Sequence, residues 1–197
     1  MSGLPSVIES RLLALPKGLR EHIERSREVG SSLARRHNVD EVRVDIGVAA
    51  HDLARALNGE ALLEQAERYG LRLHPVEQRS PILLHGLIAA LWLEREHGFG
   101  DEDVLEAVRW HTTGRRGMGA IAKAVFLADK LDPNKIRRYP YLNEVQRLAE
   151  ESLDRAILEY LDQGLLYFVS ERELIHPESV ELRNELMMAL KDDEKGH

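Results

Sequence analysis

Histidine and aspartate residues interrupt five apolar helical segments of this chain, and together they offer the chemistry of a metal site. Imidazole nitrogens and carboxylate oxygens are the ligands that zinc, iron and manganese take where no thiol is present. The chain has no cysteine, so such a site would depend on these two groups. The candidate ligands are His22, His51, Asp52, His85, His111 and Asp129.

Each of these residues, taken alone, has an ordinary structural explanation. A lone histidine on an apolar helix face is usually a hydrogen-bonded core or helix-end residue, and Asp129 alone could cap a helix. Five segments with the same exception favour one shared site, because coordination pairs buried groups that would otherwise lose their hydration. Adjacent helical residues point about 100° apart, so His51 and Asp52 can flank a cleft in which Asp52 bridges two ions.

A two-metal centre implies hydrolysis of phosphate compounds. Two neighbouring ions lower the pKa of a bound water, which supplies hydroxide near neutral pH, and they hold phosphate oxygens during in-line attack. The chain has no cysteine nucleophile, no GxSxG elbow and no GxxxxGK phosphate loop, so protein nucleophiles are not expected. We expect Asp52, Arg55 and Lys130 to be catalytic, since Arg55 follows the doublet by one turn and Lys130 follows Asp129 directly.

The segment HTTGRRGMGAIAKAV is a candidate phosphate-binding loop. It places glycines and two arginines just before a predicted helix, whose backbone N–H groups and dipole can receive an anion. The candidate substrate-binding residues in it are Thr112, Gly114, Arg115 and Arg116. A flexible exposed turn with two solvated arginines remains an equal alternative for this segment.

The elements that position these residues are all predicted to be helices. Apolar residues recur at helical spacing, and strand alternation is nowhere convincing. The predicted helices cover residues 16–36, 40–58, 60–70, 82–96, 102–111, 119–131, 143–169 and 178–190, with a loop over 71–81. We therefore expect an all-α, single-domain helical bundle over residues 16–190, preceded by a helical extension over 1–15 and followed by a charged, disordered tail over 191–197.

Composition narrows the classes of partner. The 197 residues include 27 Lys and Arg against 34 Asp and Glu, a net charge of −7 that argues against binding to a nucleic-acid polymer. The longest apolar run, PILLHGLIAALWL, is too short to span a bilayer, and the N-terminus lacks a signal-peptide pattern. A cytoplasmic protein with no membrane partner is expected, and a homodimer remains open.

The ordered set of histidines and aspartates resembles the HD-domain metal-dependent phosphohydrolase superfamily. Within it the chain is similar to the YqeK-like symmetrical bis(5'-nucleosyl)-tetraphosphatases, through HGLIAA, AVRWHTTGRRGMGAIAKAVFLADKLDPNK and LIHPESVELRN. The resemblance covers roughly Pro16 to Leu190 and implies an HD-type helical bundle. It also implies a centre of two metal ions, most often iron, held by the six candidate ligands, and it adds Arg25 to the substrate-binding candidates.

The resemblance implies one reaction and leaves two alternatives. The implied reaction is symmetrical cleavage of diadenosine tetraphosphate, and related dinucleoside tetraphosphates, into two nucleoside diphosphates. One alternative is another HD-type nucleotidase or phosphodiesterase that acts on nucleoside monophosphates, deoxynucleoside triphosphates or guanosine tetraphosphate. The other is a non-catalytic helical module that binds metal or nucleotide. Manganese or another transition metal could replace iron, because the same donors suit several ions.

Overall fold

Helices are the regular elements of residues 3–195, the part of the chain that the structure, a computed structural model, describes. The first six are α1 Ser6–Leu13, α2 Lys17–Arg36, α3 Glu41–Ala50, α4 Gly59–Arg68, α5 Pro75–Arg79 and α6 His85–Leu91. The next six are α7 Glu102–Trp110, α8 Ala120–Lys130, α9 Pro133–Arg138, α10 Leu142–Ala149, α11 Leu153–Glu171 and α12 Pro177–Lys195. A 3-10 turn, Pro81–Leu84, precedes α6 and a π-helical turn, Trp92–Glu96, follows it. The all-α prediction is confirmed.

Side-chain caps explain where several helices begin. Asp40, Asn58, Asp101 and Ser152 each accept a hydrogen bond from a backbone N–H in the first turn of α3, α4, α7 and α11. Such caps satisfy donors that have no partner inside the helix, and each stabilises a helix by about 1 kcal/mol.

The predicted helix over 40–58 is shorter than expected. It ends at Ala50, and the following residues form successive tight turns in which the N–H groups of Leu53 and Arg55 bond three residues back instead of four. At this point the His51 ring donates to the Val48 carbonyl, which a continuing α-helix would offer to the next turn. The side-chain bond that orients His51 therefore coincides with the end of the regular helix.

Three other predicted boundaries also differ. The helix expected over 143–169 is broken at Ser152, which caps a separate α11. The segment 82–96 changes from 3-10 to α to π geometry, and the loop expected over 71–81 contains α5, which a His74 capping box starts. Helix α12 extends as far as Lys195, into the charged segment that was expected to be disordered, and residues 196–197 lie outside the described residues.

Two apolar clusters form the core. One joins α2, α3, α7, α8, α10, α11 and α12 around residues such as Phe126 and Leu182, and the other joins α1, α2, α3, α4, α6 and α7 around Ile88 and Leu105. The helix α3 contributes to both, with Val48 in the first cluster and the following two alanines in the second. The five helices that carry the candidate ligands therefore meet where the two clusters join. None of the described helices is both long and apolar enough to cross a bilayer.

A tight contact at Gly114 supplies a test of the packing between α12 and the loop that follows α7. Gly114 has a φ of +66°, and a Cβ there would lie 2.4 Å from Leu182 Cδ2, whereas Gly117 has a φ of +75° with open space around it. Both positions disfavour a side chain on backbone grounds, so their difference isolates the steric contact. Gly114→Ala is expected to lower the free energy of unfolding by about 1–3 kcal/mol more than Gly117→Ala does.

Denaturant unfolding of the two variants and the parent protein measures this difference. Equal midpoints for Gly114→Ala and Gly117→Ala would show that Leu182 does not pack against this loop as described.

Candidate metal centre

The six predicted ligands converge on one buried centre. His22 comes from the second turn of α2, His85 begins α6, and Asp129 lies at the end of α8. The remaining ligands follow the last residues of α3 and α7. All except His22 are at least 94% buried, and the side chain of His22 is 12% exposed. The structure therefore assembles, from five separate segments, the set that the sequence predicted.

Local hydrogen bonds aim the imidazole rings. Nδ1 of His51, His85 and His111 donates to the carbonyl three residues earlier, at 2.6, 2.5 and 2.8 Å. A carbonyl can only accept, so Nδ1 carries the proton and Nε2 is left with its lone pair. In each case Nε2 faces the centre, because it is the atom that approaches the Asp52 carboxylate. This is the tautomer and orientation that metal-bound histidines require.

Asp52 lies between two groups of imidazoles. Its Oδ1 is 3.0 Å from His85 Nε2 and 3.7 Å from His111 Nε2. Its Oδ2 is 3.4 Å from His51 Nε2 and 3.8 Å from His22 Nε2. One carboxylate thus offers an oxygen to each side of the centre, which is the arrangement expected of a bridging ligand.

Asp129 completes one side of the centre. Its Oδ1 is 3.1 Å from His22 Nε2 and 3.8 Å from His51 Nε2. Two lysines neutralise the same carboxylate: Lys130 Nζ donates to Oδ2 at 2.7 Å, and Lys135 Nζ contacts Oδ1. Lys130 therefore holds one oxygen of the carboxylate, and the other oxygen faces both Lys135 and the imidazoles.

The donor set fits divalent metal ions. Ligand atoms of His22, His51 and Asp129 lie within 4.8 Å of one another, as do those of His51, Asp52 and His111. His51 belongs to both groups, and its Nε2 is buried without a hydrogen-bond partner among the described residues. A buried nitrogen with a free lone pair is costly unless it coordinates an ion. Either group could hold a divalent metal ion, and the single lone pair of His51 Nε2 can serve one of them.

Electrostatics favour the metal-binding protonation states of Asp52, Asp129 and His111. At His51 burial acts to lower the pKa, but the charge of Asp52 outweighs it and raises that pKa, so a metal ion there would displace a proton. Burial acts to raise the pKa of Asp52, but the charge and hydrogen bond of His51 outweigh it and hold that pKa well below its usual value. Burial also opposes ionisation of Asp129, and Lys130 outweighs it to lower that pKa strongly. Burial and the neighbouring imidazoles lower the pKa of His111, so this ring stays neutral. Ionised carboxylates and neutral imidazoles are what metal binding needs.

Comparison with known proteins identifies the fold around this centre. Residues 19–134, more than half of the chain, match the HD domain family, and this range contains all six ligands. The chain belongs to the HD domain family. The histidine–aspartate doublet at 51–52 lies inside the matched range, and in the structure it lies between the two donor groups of the centre.

Relatives of the HD domain chain carry one recurrent name. This chain is 31% identical over 147 residues to the symmetrical bis(5'-nucleosyl)-tetraphosphatase of Bacillus subtilis (strain 168). The match covers 75% of this chain and 77% of that protein. A protein of the same name from Halalkalibacterium halodurans is 29% identical over 164 residues, which is 83% of this chain and 86% of that one.

A crystal structure from Clostridium acetobutylicum is also similar to the HD domain chain. That protein, described as a predicted HD superfamily hydrolase involved in NAD metabolism, is 29% identical in sequence. It superposes with a TM-score of 0.88 over 95% of this chain and 100% of its own. The similarity therefore extends beyond the ligand-bearing helices to the whole arrangement of the bundle.

Two residues near the HD centre were not among the sequence candidates. Asp132 is buried, and its Oδ2 accepts from Nδ1 of His22 at 2.6 Å, the role that backbone carbonyls play for the other three rings. Lys135 contacts Asp129 and is 37% exposed. The pair Asp132-Pro133 is a helix-start signal, and Asp132 does cap α9. The sequence carries no signal that this cap also reaches α2.

Arg25 and Thr112 lie close to the centre, and Arg55 does not touch it. Arg25 donates through two nitrogens to Asp132, at 2.8 and 2.9 Å, so it braces the residue that orients His22. The hydroxyl of Thr112 lies 3.1 Å from Nε2 of His111. Arg55 is exposed and has no side-chain hydrogen bond or ion pair with another described residue.

The predicted phosphate-binding loop already contacts carboxylates of the protein. Arg115 pairs with Glu106 at 3.1 Å, and Arg116 pairs with Glu185 at 3.2 Å. Glu185 also accepts from the backbone N–H of Gly117, and Glu106 accepts from that of Gly119. The open anion cradle expected from the sequence is therefore closed by internal carboxylates, which bind the loop to α7 and α12.

Two glycines have packing roles around the HD centre. Gly114, a substrate-binding candidate, is buried against Leu182, and its backbone N–H donates to the Trp110 carbonyl at 2.8 Å. Gly86 follows His85, and a Cβ there would lie 2.6 Å from the Val108 carbonyl and 2.9 Å from the His111 ring. Only glycine at position 86 lets α6 approach α7 closely enough to place both histidines beside Asp52.

Asp52 is expected to matter more for metal binding than any single imidazole. Asp52→Ala should weaken Mn(II) binding by more than the ~10–100-fold that loss of an outer hydrogen-bond partner costs, because both ligand groups lose an oxygen. His85→Ala should have a smaller effect, since it removes one nitrogen from one side. Equilibrium dialysis with metal analysis measures the bound ion, and circular dichroism checks that each variant is folded.

His97→Ala is the matched control, because His97 is exposed and its ring contacts Arg11 and none of the six candidate ligands. Undiminished Mn(II) binding by the folded Asp52→Ala variant would show that Asp52 is not a metal ligand.

Proposed function

We propose that this HD domain protein hydrolyses dinucleoside tetraphosphates symmetrically, giving two nucleoside diphosphates. The observation that carries the proposal is the position of Asp52, with one oxygen toward His85 and His111 and the other toward His51 and His22. Such a bridge suits two ions that grip one phosphate group. The names of the relatives at 28–31% identity support the choice of substrate.

The protein's own residues preorganise the centre. The Nδ1–H bonds to carbonyls keep each Nε2 aimed inward, and Asp132 does the same for His22. Lys130 donates to the His111 carbonyl at 3.0 Å and to Asp129, so we assign it a positioning role within the catalytic machinery. Bound ions would supply Lewis acidity toward phosphate oxygens and lower the pKa of a water. We propose two ions, with iron as the first candidate and manganese as the alternative.

Cations around the centre are proposed to bind the phosphate chain. Lys135 lies against Asp129 and is partly exposed, so its ammonium group can contact a phosphate beside the ions. Arg55 has a free guanidinium one turn beyond His51, and the Thr112 hydroxyl faces the imidazoles. Arg115 and Arg116 would join this group by exchanging their present carboxylate partners for phosphate.

A different HD nucleotidase activity is the second candidate. The centre would serve nucleoside monophosphates equally well, because the geometry of the six candidate ligands does not depend on the number of phosphate groups in the substrate. The closed loop at Arg115 and Arg116 favours this candidate, since a short substrate needs fewer cations. Product analysis separates the two candidates.

The bond that is broken decides the products. Hydrolysis of diadenosine tetraphosphate in oxygen-18 water is expected to give two ADP molecules that carry one label between them, because water attacks an inner phosphorus. Chelation should abolish turnover, and added iron or manganese should restore it. Chromatography with mass spectrometry measures both products and label.

AMP with ATP among the products would indicate cleavage of an outer P–O–P bond instead of the central one. Rapid turnover of a mononucleotide without cleavage of the tetraphosphate would move the protein to the second candidate. Binding of nucleotide without turnover at any metal tested would leave a non-catalytic module.

Lys135→Ala is expected to raise KM about tenfold, the effect of losing about 1.4 kcal/mol of charge-assisted hydrogen bonding. A cation that contacts ground state and transition state equally changes KM and leaves kcat nearly unaltered. Lys17→Ala is the control, because this lysine is 82% exposed and pairs with Glu21. Steady-state kinetics on the metal-loaded protein supply both parameters, and an unchanged KM in Lys135→Ala would exclude contact with the substrate.

A further inference from the structure

Three tyrosines form a row that leads from the metal centre to the surface. The ring centroids of Tyr160 and Tyr141 are 6.5 Å apart, and those of Tyr141 and Tyr139 are 6.3 Å apart. We call Tyr139, Tyr141 and Tyr160 the tyrosine row. Tyr139 and Tyr141 flank Pro140 in the short link between α9 and α10, so the link fixes their spacing.

The inner end of the tyrosine row adjoins the centre. Lys130 Nζ, which is bonded to Asp129, lies 5.7 Å from the Tyr160 ring centroid. Tyr160 is also close enough to Asp129 that, after burial, the charge of this carboxylate contributes to raising its pKa to about 12. The row therefore begins in contact with the residues that hold a metal ligand.

The outer end of the tyrosine row is exposed and cationic. Tyr139 is 42% exposed and Tyr141 is 37% exposed. Both rings therefore present aromatic surface to solvent, unlike tyrosines that pack in a core. The Arg138 guanidinium lies 5.2 Å from the Tyr139 centroid. Arg137 and Arg138 form no ion pair with a described carboxylate, so α9 presents unneutralised positive charge beside the rings.

We propose that the tyrosine row is a nucleobase subsite, on which one base of the substrate stacks. A base needs an aromatic face, and the phosphates attached to it need cations on the path to the metal ions. Tyr139 and Tyr141 offer the faces, and Lys135, on α9 and one helical turn before Tyr139, contacts Asp129. Stacking tolerates any base, so this subsite binds purines through their larger area and discriminates weakly among them. The proposal deepens the proposed function, on which it rests for the identity of the substrate.

Binding of ADP and of inorganic diphosphate to the Mn(II)-loaded protein separates base contacts from phosphate contacts. The double variant Tyr139→Leu, Tyr141→Leu keeps apolar volume and removes both rings. It is expected to bind ADP about tenfold or more weakly, as loss of stacking on a protein aromatic predicts, and to bind diphosphate like the parent protein. The double Tyr→Phe variant should retain ADP affinity. Titration calorimetry measures the affinity of each protein for each of the two ligands.

Tyr69→Leu is the matched control, because its hydroxyl bonds Glu96 and its ring contacts arginines outside the tyrosine row. Equal ADP affinities in the double Leu variant and this control would overturn the subsite. Parallel loss of ADP and diphosphate affinity in the double Leu variant would overturn it too, since the defect would then lie at the phosphates.

Failure of the subsite and failure of the proposed function give different results. If the parent protein cleaves diadenosine tetraphosphate to ADP while the double Leu variant binds ADP normally, the base binds elsewhere and the function stands. If the parent protein leaves the tetraphosphate intact but ADP binding depends on the two tyrosines, the subsite stands and serves another nucleotide.

Discussion

The burial of two ionised carboxylates among four imidazoles is the constraint on which the rest of the structure depends. An isolated buried carboxylate would be protonated or would destabilise the fold, so Asp52 and Asp129 require partners on every side. The imidazoles and Lys130 supply them, and each partner must in turn be held by a further bond. The core of the bundle is thus arranged around a polar centre, and its apolar clusters lie on either side.

Helix ends supply most of the polar partners at this centre. His51 and His111 follow directly on α3 and α7, where the last carbonyls have no intrahelical donor, and their rings donate to those carbonyls. One bond therefore satisfies a helix terminus and orients a ligand at the same time. The centre needs few dedicated supporting side chains for this reason. His22 is the exception, because a side chain, Asp132, orients its ring.

Much of this centre could be predicted from the sequence, because His and Asp in apolar helices are conspicuous exceptions to a strong pattern. The six candidate ligands and the all-α class follow from that contrast. The breaks at Ala50 and Ser152 could not be predicted, because a side-chain bond and a cap override continuous helical periodicity. The internal partners of the loop at 114–119 were also hidden, since Glu106 and Glu185 are unremarkable surface carboxylates until α7 and α12 pack beside it.

The bond between His22 and Asp132 joins residues separated by 110 positions, and it affects how the centre can assemble. Contacts between such distant parts of a chain close large loops, which makes them slow to form and late on the folding pathway. During synthesis the N-terminal ligand must wait in α2 until α8 and α9 have left the ribosome. A nascent chain that has not yet been synthesised as far as Asp129 offers only an incomplete set of donors. A truncated product that ends before Asp129 therefore lacks part of the proposed donor set.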